Sequence, residues 1–132
     1  MAFGVLKKKA RNVVPMAVSM SEFAAFLQSS TGQAVLSAER QLLESLLPSL
    51  AGFQLLQLSV QRGHSVCEVP HIGRYIQMGY GPDLQAEERD HIWGDFQEFP
   101  IASECIDIVL LHHVLEFSND PHQLLREADR TI

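Results

Sequence analysis

A change of hydrophobic period at Gly52 constrains the fold of this chain more than any other feature. Before it, Val35, Leu36, Leu42, Leu43, Leu46 and Leu47 recur at helical spacing, with Glu39, Arg40 and Glu44 among the polar positions. After it, Phe53 to Val60 is short, mostly apolar and bounded by Gly52 and Gly63, which reads as a strand. A strand apolar on both sides of its pleat is buried on both faces, and that is the situation of a parallel sheet covered by helices. The chain is therefore expected to be α/β rather than all-helical or all-β.

The remaining elements fit this expectation. Ser19 followed by Glu22 has capping-box spacing and opens a short helix that carries Phe23, Ala24, Phe26 and Leu27. The leucine-striped helix follows over about 33–47, stops at Pro48, and is expected to pack on the body of the domain. Arg74 to Tyr80 reads as a second strand and His91 to Trp93 as a short third. Ile106 to Leu111, β-branched and apolar, is the clearest strand in the chain. Asp120 and Pro121 have the N-cap and first-turn pattern of a last helix, with Gln123 at the capping-box partner position. Its inner face is expected to be Leu124, Leu125, Ala128 and Ile132, and its outer, solvated face Arg126, Glu127, Asp129 and Arg130.

The chain has 132 residues and a formal charge of -6, enough for one domain. Residues 1–60 hold five basic and three acidic residues, and residues 61–132 hold five basic and thirteen acidic ones. An acidic main body disfavours nucleic acid as the partner. No apolar run approaches the ~20 residues of a membrane span. Cys67 and Cys105 form no CxxC motif, so reduced thiols in the cytoplasm are the simpler expectation. The division expected is an N-terminal tail over 1–18 containing Lys7, Lys8, Lys9 and Arg11, N-terminal helices over 19–52, and the main body over 53–132. Ligands of a parallel sheet bind beyond the carboxyl ends of its strands. That edge collects residues 59–63, 80–83, 94–96 and 112–116.

One block of sequence carries a resemblance. It comprises Trp93 to Ile101 with Asp95, Phe96 and Pro100, then Cys105 to Phe117, then Asn119-Asp120-Pro121, then Leu124 to Arg130. In spacing and residue type it resembles the second half of the core of class I S-adenosylmethionine-dependent methyltransferases of the type 11 group. The resemblance implies a Rossmann-like, mostly parallel sheet of about four strands with N-terminal helices, part of a seven-stranded fold. It also implies S-adenosylmethionine as cofactor and a small-molecule methyl acceptor. Asp95 matches the acid that contacts the adenine amino group, and Phe96 the residue beside the adenine ring. His112 lies near the meeting point of methyl donor and acceptor.

The first strand departs from the pattern. Gln57 stands where an acid is usual, and Ser59 and Gln61 replace the first two glycines of the cofactor loop, leaving Gly63. Gln61 fits only if its position does not need a positive φ. Asp83 is the candidate for the ribose hydroxyls. Cofactor-binding candidates are thus Gln57, Ser59, Gly63, Asp83, Asp95, Phe96 and His112, with no catalytic residue assigned. No metal ligand set is expected, because His112 and His113 are adjacent on a strand and should point to opposite faces. Asp107 is read as structural, Glu116 as a loop carboxylate and Trp93 as core or cleft wall.

The resemblance also implies three further strands beyond Ile132, so a partial domain is expected. Ile106 to Leu111 would then be an apolar sheet edge open to homodimer contact. Two functions follow. One is a small-molecule methyltransferase with an impaired cofactor loop. The other is a non-catalytic methyltransferase-like binding or interaction module.

Overall fold

A computed structural model describes residues 16–61, 63–80 and 90–132, with side chains from residue 19 onward. The order is α1 (Met16–Leu27), α2 (Ser30–Leu46), β1 (Gln54–Ser59), β2 (Arg74–Tyr80), β3 (His91–Gly94), β4 (Ile108–His112) and α3 (Pro121–Thr131). Short 3-10 turns lie at Leu47–Ser49 and Leu115–Phe117. The four strands form one sheet in the order β3-β2-β1-β4, and every pairing is parallel. The α/β, Rossmann-like architecture expected from the sequence is the one observed. Among the described residues β4 pairs with β1 alone and forms one edge of the sheet.

The pleat of β1 explains the core. Leu56 and Leu58 face one side, in one apolar cluster with Ile76 and Met78 of β2, Phe96, and Leu124 and Ala128 of α3. Met20 and Leu27 of α1 belong to the same cluster. Leu55 faces the other side, in a second cluster with Ile108 of β4, Cys67, Val69, Leu47 of the first 3-10 turn and, partly buried, Leu43 of α2. Nearly all of β1 is buried, as its composition required.

Local chemistry fixes the element ends. Asp107 Oδ2 accepts the backbone N–H groups of Phe53 and Gln54, both at 2.8 Å, and so ties the start of β1 to β4. A Cβ on Gly52 would come within 2.6 Å of the Asp107 Cβ, so glycine permits this approach. Asp120 caps α3 by accepting the Gln123 N–H at 3.0 Å.

Several expectations need correction. α1 begins at Met16, so Ser19 lies inside the helix and is not its cap; the working cap is Ser29, which accepts the Gly32 N–H at the start of α2. Only half of the α2 stripe meets the sheet: Leu47 is buried and Leu36 and Leu43 half-buried, whereas Val35, Leu42 and Leu46 are exposed. The α3 side chain of Gln123 reaches the Gln97 carbonyl instead of closing a capping box. The inner face of α3 is Leu124, Glu127, Ala128 and Thr131, while Leu125 and Ile132 are exposed. The helix is rotated by its polar contacts. Glu127 accepts the Phe99 N–H at 2.8 Å and pairs with Arg130, which in turn donates to the Phe99 and Ile101 carbonyls. Residues read as solvated thus clamp α3 to the turn after β3.

Candidate functional site at the carboxyl edge of the sheet

Because all four strands are parallel, their carboxyl ends share one edge. The neighbours of β1 are β2 on one side and β4 on the other, so the direction of winding reverses between β1 and β4. In open α/β sheets the ligand crevice lies outside the carboxyl ends at such a switch point. Ser59 and His112 are register partners there.

These two residues are joined directly. Ser59 Oγ lies 2.9 Å from His112 Nδ1 and also accepts the Gln61 N–H, so Ser59 holds both the turn after β1 and the end of β4. Gln61 has no positive φ; among the described glycines and loop residues of this turn, that conformation falls on Gly63, at φ 74 with open space where a Cβ would stand. The replacement of glycine by Gln61 is therefore no obstacle to the turn.

His112 and His113 converge, contrary to the expectation of opposite faces. His113 follows the last strand residue with φ 53, a left-handed conformation that turns its ring back toward His112. The ring centroids are 4.5 Å apart. Glu39 of α2 bridges the two rings, with His112 Nε2 at 2.7 Å from one oxygen and His113 Nε2 at 2.5 Å from the other. Glu116 holds the far side of His113, at 2.8 Å from Nδ1. Burial alone would raise the Glu39 carboxyl, but the hydrogen bonds from His112 and His113 outweigh it and hold it below the usual range. Burial lowers His112. Burial also works against the charged form of His113, yet its bonds to Glu116 and Glu39 win and raise it. Glu39, His112 and His113 are also the one set among the described residues whose donor atoms could share a metal ion.

The other sequence candidates are dispersed around this edge. Gln57 is 1% exposed and is committed to its own loop: Nε2 donates to the His64 carbonyl, and Oε1 accepts the Val66 N–H and the Tyr75 hydroxyl. Asp95 is exposed just beyond β3, with Oδ1 accepting the Gln97 N–H at 2.8 Å. Phe96 is fully buried, edge-on to Tyr80 in the α3-side core. Its ring packs in the core here, whereas the resemblance implies a ring beside the adenine. Asp83 lies outside the described residues. A cleft of about 1000 Å³ opens between α2, the stretch 61–70 and β2, lined by Gln33, Arg40, Gln61, Gly63, Tyr75 and Gln77 among others. It contains Gly63 but neither Asp95 nor His112.

Comparison with known proteins covers the same elements. A family model described as a methyltransferase domain matches residues 74–132, from β2 to the end of α3. Residues 74–132, a little under half of the chain, are thus similar to a class I, type 11 methyltransferase domain. The matched segment includes Asp95, Phe96, His112, His113 and Glu116, whereas Glu39, Gln57, Ser59 and Gly63 precede it. The chain is also 35% identical over 97 residues to a protein of Escherichia coli (strain K12) with the name "Uncharacterized protein YafS". That alignment covers 71% of this chain and 37% of the relative, so the chain spans well under half of the relative's length. Among the described residues no helix is long and apolar enough to cross a membrane.

Sequence reasoning missed Glu39. It is one charged residue on an amphipathic helix, 73 positions from His112, and no local spacing joins the two. It also missed Glu127 as a buried residue.

Proposed function

We propose that the protein is an S-adenosylmethionine-dependent methyltransferase acting on a small molecule in the cytoplasm. The observation that carries this reading is the parallel order β3-β2-β1-β4, with its switch point between β1 and β4, in a sheet whose β2, β3 and β4 lie within the segment similar to a methyltransferase domain. Residues 53–132 would form the ligand-binding body, covered by α1 and α2. The chain's own groups fit the cofactor at separate points. Asp95 Oδ2 accepts nothing from the described residues, so it is available to an exocyclic amine such as that of adenine. Gly63 lets the backbone after β1 approach a ligand closely. Phe96 would contribute through its backbone only. When bound, the cofactor supplies an electrophilic methyl group on its sulfonium. The residues of the chain bind it, orient the acceptor and exclude water.

A second reading has its own observation. Gln57 replaces the acid expected at the amino-acid end of the cofactor, and its amide is spent on the chain's own loop. That favours a non-catalytic methyltransferase-like binding module. Calorimetric titration with S-adenosylhomocysteine separates the two. Expected is saturable one-to-one binding, weakened about tenfold or more by Asp95→Ala, which corresponds to at least ~1.4 kcal/mol. Absence of heat and of thermal stabilisation at millimolar ligand overturns the enzyme reading.

A further inference from the structure

The Glu39–His112–His113 cluster has features that a hydrogen-bonded ion pair alone does not need. Both imidazoles turn the same nitrogen, Nε2, toward one carboxylate, at 2.7 and 2.5 Å. Both Nδ1 atoms are held from behind by separate partners, Ser59 Oγ for His112 and Glu116 Oε1 for His113. Such partners at the second nitrogen are what fix tautomer and ring direction in metal-bound histidines. The convergence depends on a left-handed backbone at His113, a conformation that non-glycine residues seldom adopt and that recurs where function requires it. The ligand atoms come from α2, from the end of β4 and from the residue after it. They all lie within 4.8 Å of one another.

From this geometry we infer that Glu39, His112 and His113 form a binding site for a divalent transition-metal ion of the zinc class. Two imidazole nitrogens and one carboxylate are a donor set that such an ion accepts with bonds of about 2.0–2.2 Å, and it leaves a coordination position for water or another small oxygen or nitrogen ligand. The hard cations magnesium and calcium prefer all-oxygen sets and are not expected here. Burial suits the assignment as well. His112 is 6% exposed while the side chains of His113 and Glu39 are 23% and 26% exposed, so the cluster is anchored on one side and reachable from the other. The ion would cross-link α2 to the carboxyl end of β4 at the switch point of the sheet. The inference stands on these side chains alone and does not depend on the methyltransferase reading.

The test is calorimetry of the full chain with Zn²⁺ alone, accompanied by Co²⁺ absorption spectra. Expected is one ion per chain and a Co²⁺ spectrum of low coordination number with nitrogen ligands. Glu39→Gln and His113→Ala, both at partly exposed positions, should each weaken binding by about 100-fold or more. Glu116→Gln, which disturbs only the partner behind His113, should weaken it about 10–100-fold. Circular dichroism of each variant establishes that it remains folded. Failure of Zn²⁺ to bind at concentrations of about 100 µM, or a one-to-one affinity unchanged in folded Glu39→Gln and His113→Ala, overturns the site. The second result would assign the ion to other histidines or to Cys67 and Cys105.

Discussion

Leu124→Ala is expected to cost about 2–5 kcal/mol of folding stability. Leu124 is 0% exposed and lies on the inner face of α3, in one cluster with Leu56, Leu58 and Phe96. Truncation removes apolar area from water-free packing and leaves a cavity that the strands below cannot collapse to fill, because β1 is itself buried on both faces. Small domains are stable by only about 5–15 kcal/mol, so the loss should appear as a large fall in the urea midpoint. Leu125→Ala is the control. Leu125 is 45% exposed, and its truncation should change stability by less than about 0.5 kcal/mol. Equal effects at the two positions would mean that α3 is rotated from the orientation described.

Glu127→Ala should be the second most damaging change. It leaves the buried Phe99 N–H without its acceptor, at a cost of about 1–3 kcal/mol, and it releases Arg130 from the clamp that joins α3 to the turn after β3. The same carboxylate makes stability depend on pH. The hydrogen bond from Arg130 holds Glu127 below its ordinary value of 4.5. A group with a depressed folded pKa contributes its stabilisation above the unfolded value and loses it as pH falls through that value toward the folded one. Asp107 acts in the same direction, held down by the Gln54 and Phe53 N–H groups. The chain should therefore lose stability on acidification below about pH 5. Glu127→Gln, which keeps an acceptor without the titration, should show a shallower loss. Urea midpoints at several pH values measure this, and identical slopes for the two proteins would contradict it.

Much of the fold was legible because hydrophobic period reports burial directly. The expected bounds of β2 are the observed ones, and those of β1, β3 and β4 agree to within about two residues. The parallel arrangement follows from a mostly apolar strand, Leu55 to Ser59, that is buried on both faces. What was not legible depends on partners distant in sequence. The rotation of α3 is set by Glu127 meeting the Phe99 N–H, so a polar residue takes the inward place that hydrophobicity alone assigns to Leu125. The half of the α2 stripe that stays exposed differs from the buried half only in which way the helix faces the sheet. Ser59, Gly63, Asp95 and His112 lie at the carboxyl edge of the sheet, where the strand pattern and the resemblance put them. Phe96 was placed beside a ligand because the resemblance carries a position, not a side-chain direction. The convergence of His112 and His113 on Glu39 required a left-handed φ and a helix from another part of the chain, and neither leaves a mark in the spacing.

Amide chemical-shift mapping with S-adenosylhomocysteine tests most directly whether the carboxyl edge is a cofactor site. Expected are concentration-dependent shifts at Gly63, Asp95, Gln97 and His113, with the amides of α3 from Leu124 onward unaffected. Shifts absent at millimolar ligand, or confined to α3 and the amino ends of the strands, would contradict a cofactor site at this edge.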